Sequence, residues 1–219
     1  MDQIERVRTD CRMFGEAMRD LLSRKRVEED PRYGCFWMMY NKATVALETL
    51  NYFQRTWESI DMATSEERLN QLKLENTERC IEIARSLFIG CMSAIEFCAK
   101  ENIKLYPDSR LARRLDELRS RRRYIFLRGI MQESLSLGIL TEKQEAEWTG
   151  MIILRNLAVH NNAVSDMDAD IEVGEMSFLL RKGDMIVGGL STYADLTLRA
   201  VTSYHNWICK LDLDALTRS

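Results

Sequence analysis

The stretch TEKQEAEWTGMIILRNLAVHNN, residues 141–162, decides how the chain reads. Thr141 followed three residues on by Gln144 is the pattern of a capping box, in which each side chain satisfies a backbone N–H at a helix start. The helix that this opens carries Trp148, Ile152, Arg155 and Val159. Asn161 and Asn162 tolerate a left-handed C-cap, so the helix is expected to end beside them. One of only two histidines, His160, falls at this end, five residues after Arg155. Two readings follow. Either Arg155 pairs with Glu145 or Glu147 and His160 caps an ordinary helix, or Arg155 and His160 are a catalytic pair.

Outward from this helix the same period recurs. Residues up to about Glu28 place Ile4, Val7, Cys11, Phe14, Met18, Leu21 and Leu22 on one face, before Pro31 and Gly34 punctuate the chain. From Phe36 to Ile60 the positions Ala43, Ala46, Leu50, Phe53, Trp57 and Ile60 predict a long helix with a narrow buried seam. Thr64 with Glu67 reads as a second capping box, opening a helix to about Asn102 whose core face carries Ile81, Ala84, Leu87 or Phe88, Cys91, Ala94 or Ile95 and Cys98. Pro107 and Asp108 supply a break and an N-cap for a helix that carries Leu111, Leu115, Leu118 and Ile125 and ends at Gly138.

Beyond residue 170 the period changes. MSFLL and MIV flank RKGD, whose Gly183 suits a tight turn, so a small β-hairpin is expected over 176–187. A last helix should begin near Ser191 or Thr192, with Leu196, Ala200, Tyr204, Trp207, Ile208 and Leu211 on one face. The expectation is an all-α bundle of about six helices with a small hairpin before the last. Residues 1–62 form an N-terminal helical extension packed on a bundle of 63–219, the two making one compact unit.

Composition narrows the class. Hydrophobic residues make up 46%, charged residues 30%, and only 2 of 219 positions are proline, a profile of an ordered, helix-rich globular chain. The net charge of -3 gives no general attraction to polyanions. Cys11, Cys35, Cys80, Cys91, Cys98 and Cys209 show no CxxC pairing, which points to reduced, buried thiols in a cytoplasmic protein. The charged N-terminus excludes a secretory apolar region and SLFIGCMSAIEF is too short to cross a bilayer, so no membrane partner is expected. No P-loop, dinucleotide fingerprint, GxSxG elbow or spaced Cys/His cluster is present, so neither a cofactor nor a metal is expected.

The run GILTEKQEAEWTGMIILRNLAVHNN, with Arg155, Asn156 directly after it and His160, resembles the last part of a HEPN domain, the higher eukaryote and prokaryote nucleotide-binding family. The helix around SLFIGCMSAIEFCAKENI, with Glu96, is similar to an early helix of that family, and the resemblance covers roughly Thr77 to Val164. It implies a metal-independent endoribonuclease, acting as a homodimer in toxin–antitoxin or phage-defence settings, or a noncatalytic module that binds RNA or nucleotides. Toxin members commonly carry Tyr two positions after the histidine, where this chain has Asn162. On this reading Arg155 holds the scissile phosphate, His160 moves a proton, and Asn156 orients the histidine or donates to a phosphate oxygen. Arg199 and His205 satisfy the bare spacing too, but lie among Tyr204, Trp207 and Ile208 and read as packing.

A basic helix is the second candidate. RLARRLDELRSRRR, residues 110–123, holds seven arginines against Asp116 and Glu117, which leaves +5 here and -8 on the remainder of a chain of net charge -3. Arg110, Arg114 and Arg121 flank its apolar stripe and are candidate RNA contacts; the alternative is a solvated face paired with acidic neighbours. Of the aromatic residues Tyr33, Phe36, Trp37, Tyr40, Tyr52, Phe53 and Trp57, only those in RYGCFW stand open as a surface that could stack bases. A rival reading rests on LRGIMQESLSLGILTEKQEAEWTGMIIL, which resembles the mannitol operon repressor family and implies a noncatalytic regulatory protein that binds a protein partner. No recognition helix for DNA stands out.

Overall fold

The computed structural model describes residues 1–22, 30–60, 65–120, 125–160, 163–185 and 188–216. Among them, seven helices and one two-stranded antiparallel sheet follow in the order α1 (Asp2–Leu22), α2 (Pro31–Glu58), α3 (Glu66–Leu105), α4 (Arg110–Ser120), α5 (Leu127–Ser136), α6 (Glu142–His160), β1 (Ala169–Val173), β2 (Met176–Leu180) and α7 (Leu190–Leu216). The expected all-α bundle with a hairpin before its last helix is the observed architecture.

Apolar periodicity sets the core. Ile4, Val7 and Cys11 of α1, Cys35, Phe36 and Met39 of α2, Phe88, Cys91 and Ile95 of α3, and Tyr204, Trp207 and Ile208 of α7 all belong to a single buried cluster. Two polar side chains, Asn102 and Ser134, bond to aromatic members of this cluster, although Asn102 Oδ1 is buried without a partner. Asn102 Nδ2 donates to the Tyr204 hydroxyl at 2.6 Å, and Trp207 Nε1 donates to Ser134 Oγ at 3.1 Å. Both bonds tie α7 to other helices at buried positions, where an unmet donor costs about 1–3 kcal/mol. Ala43, Ala46 and Leu50 of the α2 seam are buried as expected, but Phe53, Trp57 and Ile60 are only half-buried.

Helix starts follow local hydrogen bonding more closely than sequence pattern alone. Thr141 and Gln144 do form the reciprocal capping box, with Thr141 N donating to Gln144 Oε1 at 3.1 Å and Gln144 N to Thr141 Oγ1 at 3.3 Å. For α4 the cap is Ser109 rather than Asp108, its hydroxyl accepting from Ala112 N at 3.1 Å. For α3 it is Ser65, which accepts from Arg68 N at 3.4 Å; Thr64 lies outside the described residues. Pro31 opens α2 at the position where its missing N–H leaves no gap, with Asp30 as N-cap.

Two expectations are corrected. The single helix expected up to Gly138 is two, α4 and α5, with Phe126 in extended backbone before α5. Leu111 and Leu115 are buried on α4 and Ile130 and Met131 on α5, so each short helix has its own apolar face. The hairpin is displaced: β2 pairs backwards with Ala169–Val173, while Asp184 and Met185 turn to Ser165 and Val164. Register puts Val173 opposite Met176, leaving Gly174 (φ 62°) and Glu175 as a two-residue turn with glycine first, the arrangement that suits the strand twist. Gly183 (φ 90°) also turns the chain, but returns Met185 to a bridge with Val164. Residues 186 and 187 of the expected strand lie outside the described residues.

Candidate functional site

Gly150 positions the hairpin on α6. A Cβ there would lie 2.6 Å from Ile171 Cγ2 and 3.1 Å from Val173 Cγ2, so β1 packs against the helix only because position 150 has no side chain. Trp148, Met151, Leu154 and Leu157 are buried on the inner face of α6. The remaining arc presents Ile152, Ile153, Arg155, Asn156, Val159 and His160 towards α3, the start of α5 or solvent.

Arg155 is fixed across two helices. Its Nη1 donates to Asn156 Oδ1 at 2.9 Å, its Nη2 donates to Ser93 Oγ of α3 at 3.2 Å, and Nη2 lies 3.8 Å from Glu96 Oε2. Its Nε is buried with no hydrogen-bond partner, while the side chain as a whole retains 23% exposure. Ser93 serves both sides, donating to the Ile89 carbonyl at 2.8 Å while accepting from the arginine. Glu96 also takes Lys100 Nζ at 2.8 Å, one helical turn on. The Lys100 ammonium in turn lies 5.7 Å from the centroid of the Phe126 ring. Beside this chain of contacts is a cavity of about 240 Å³ lined by Met92, Phe126, Leu127 and Ile152 with Arg128 and Arg155.

His160 is the last residue of α6 and is exposed. Among the described residues it makes no hydrogen bond or ion pair. Five helical residues rotate its direction about 140° from that of Arg155, so one chain does not bring imidazole and guanidinium onto one face. Arg155 and Asn156 are joined, and His160 stands apart at the open end of the same helix. Asn161 and Asn162, expected to cap it, lie outside the described residues; Ala163 is left-handed at φ 64°, with its N–H bonded to the Leu157 carbonyl at 3.0 Å.

The acidic partners anticipated for Arg155 are otherwise engaged. Glu147, nearly buried, is held by Arg199, whose Nε donates to Glu147 Oε2 at 3.0 Å, with Nη2 closing on the same oxygen. Glu145 accepts from Thr149 Oγ1 at 2.8 Å. His205 stacks on Phe14 with ring centroids 4.0 Å apart, and burial lowers its imidazole below the ordinary value. In the second Arg/His spacing His205 is taken up by packing and Arg199 by its ion pair with Glu147.

The basic helix is partly neutralised. Arg114 bonds Glu133 Oε2 at 3.1 Å and Glu117 Oε2 at 3.2 Å, which raises its already high pKa, and Arg119 bonds Asp116 at 3.1 Å. Arg110 reaches the Leu137 carbonyl at 3.5 Å, and Arg121 lies outside the described residues. Of the aromatic group, Phe36 is in the core, while Trp37 is exposed and stacks on Tyr40 at 5.2 Å.

Among the described residues no group of three or more His, Cys, Asp or Glu side chains could hold a metal ion, and no helix is long and apolar enough to cross a membrane. No protein-family model matches the chain, and no curated protein or solved structure is significantly similar to it.

Sequence reasoning missed Ser93 and Phe126 and used Glu96 only as a marker of its helix. The four-residue spacing of Glu96 and Lys100 was a visible signal of a shared helical face. Nothing in the spacing tells which arginine of another helix that face meets.

Proposed function

We propose that the protein is a HEPN-like endoribonuclease that cuts RNA without a metal, as a homodimer in which the ends of two α6 helices meet. The observation that carries this reading is the held guanidinium of Arg155 at the cavity wall, on the same helix as an exposed imidazole at position 160. Two copies related by a two-fold axis supply two arginines and two histidines, which removes the obstacle that a single helix sets between positions 155 and 160.

The reaction needs no cofactor. The ribose 2′-hydroxyl loses its proton to one imidazole and attacks the adjacent phosphorus; the P–O5′ bond breaks, and the leaving oxygen takes a proton from the second imidazole. The products are a 2′,3′-cyclic phosphate and a 5′-hydroxyl. An imidazole suits both roles because its ordinary pKa lies near neutrality. Arg155 meets the extra negative charge of the five-coordinate phosphorus with donors already fixed by Ser93 and Asn156, so little reorganisation accompanies the reaction. The test is cleavage of single-stranded RNA in EDTA by wild type and His160→Ala. Loss of general acid–base catalysis should slow cutting by about 10²–10⁴-fold, and equal rates would reject the role of His160.

A second reading has its own observation. Arg114 and Arg119 spend their charge on acidic neighbours, and Phe97 and Val159 are exposed apolar residues, features that suit a noncatalytic regulatory protein with a protein partner, akin to the mannitol operon repressor family. This reading gives no RNA cleavage by the wild type and retention of the partner at moderate salt.

A further inference from the structure

We propose that the solvent face of α2 is a contact between two copies of this chain, in which two α2 helices pack antiparallel about a two-fold axis between Thr44 and Val45. The inference goes beyond the RNA reading and does not depend on it.

α2 carries two stripes. Phe36, Met39, Ala43, Leu47 and Leu50 are buried in the bundle, the face that any core helix must have. A second set, Trp37, Asn41, Thr44, Val45, Glu48 and Tyr52, steps along the helix by three or four residues and falls within an arc of about 100°. Its large members are open to solvent: Trp37 is 51% exposed, Val45 62% and Tyr52 65%. Trp37 stacks on Tyr40 with ring centroids 5.2 Å apart, and Tyr52 lies 5.9 Å from Phe53, contacts that steady both rings while leaving them this exposed. Single exposed apolar residues are ordinary on a surface. A stripe of them kept in helical register over about 22 Å is the pattern that a second helix fills.

The order of the stripe identifies its partner. From either end it runs aromatic, polar, β-branched, polar, aromatic, so a second α2 laid antiparallel sets each Trp37 opposite the other copy's Tyr52 and each Asn41 opposite the other copy's Glu48. The polar groups match too. An Asn41 amide can donate to a Glu48 carboxylate, and Lys42, on the flank of the stripe, adds a cation beside that carboxylate. Among the described residues the side chains of Asn41, Lys42 and Glu48 make no hydrogen bond or ion pair, so all three are available. Next to the stripe a groove of about 500 Å³ runs between α2 and α3, lined by Val45, Ala46, Ile83 and Leu87 with Lys42 and Glu82. Arg85 already holds Glu82, so the open apolar surface continues onto α3 without an unmatched acid. One helix pair is smaller than a standard interface of about 800 Å² per partner, so reversible association at roughly micromolar concentration is expected. Together with the α6 contact it gives each chain two two-fold contacts, which close as a tetramer.

The test is the mass of the full-length protein by sedimentation velocity over a micromolar concentration series. Val45→Glu, which sets two carboxylates against each other at the axis, should halve the mass of the assembly, tetramer to dimer or dimer to monomer; Val45→Leu should leave it unchanged. Positions 41 and 48 stand two turns apart on one helix, so only a second copy brings them together. Asn41→Lys should therefore tighten the association by about two- to tenfold through exposed ion pairs with Glu48, and Asn41→Asp should weaken it by as much. These two variants carry the test if Val45→Glu fails to fold. A folded Val45→Glu protein with the mass of wild type would overturn the proposal, as would a wild type that stays monomeric throughout. Loss of association in Val45→Glu with no response at position 41 would overturn the antiparallel pairing. A wild type that cuts no RNA while Val45→Glu still halves the mass removes the nuclease reading and leaves the α2 contact.

Discussion

Replacing Arg199 by Met removes the cation that faces Glu147 and leaves a carboxylate in the interface between α6 and α7. The Glu147 side chain is 7% exposed and that of Arg199 39%, so water reaches the pair from the arginine side only. Breaking a fully buried pair costs about 3–5 kcal/mol. With the arginine partly solvated, we scale this to about 2–3 kcal/mol, or roughly 5–10 °C in Tm for a chain of this length. Urea unfolding followed by circular dichroism at pH 7 measures it. The double variant Arg199→Met/Glu147→Gln should recover more than half of the loss, since an amide is far less costly to bury than an unpaired carboxylate. The experiment also separates the two Arg/His spacings in the chain, because a folded Arg199→Met protein should keep the RNA-cutting activity that Arg155→Ala loses. A single variant as stable as wild type, or a double variant no better than the single, would refute the reasoning.

Further outcomes follow from other sites. Gly150→Val should destabilise by about 2 kcal/mol or more through overpacking against Ile171 and Val173, read as a lower urea midpoint; an unchanged midpoint would show that the hairpin is not seated on α6. Burial depresses the His205 imidazole, so the unfolded chain binds its proton more readily. Stability should therefore fall as pH drops below about 6.5, the unfolded value, and His205→Phe, which keeps the stack on Phe14, should flatten that part of a Tm–pH series. Thiol labelling of the native protein should reach Cys80 and Cys209 first, with Cys11, Cys35, Cys91 and Cys98 reacting only on unfolding. Burial pushes Cys91 up to about 12, which adds to its protection.

Much of the bundle is legible in the sequence because its helices carry their apolar period over many turns. The α6 capping box could be read from Thr141 and Gln144 alone, since both of its bonds lie within three residues. The hairpin was misplaced for an equally physical reason. Gly174 and Gly183 both supply left-handed turns, and choosing between them requires the fit of Ile171 and Val173 over Gly150, a contact across more than twenty residues of chain. The break between α4 and α5 was hidden because Leu111, Leu115, Leu118 and Ile125 mimic one stripe across it. At the site, Arg155, Asn156 and His160 stand out by spacing. Ser93 and Phe126 do not, because their relation to Arg155 depends on how α3 and the start of α5 lie beside α6.

The most direct measurement is the chemistry of the RNA ends left in EDTA by wild type, Arg155→Ala, His160→Ala and Arg199→Met, prepared identically. The Arg155/His160 mechanism predicts 2′,3′-cyclic phosphate and 5′-hydroxyl ends from wild type and Arg199→Met, and intact RNA from the other two. Cutting that persists in Arg155→Ala and His160→Ala, or wild-type products bearing 5′-phosphates, would contradict it.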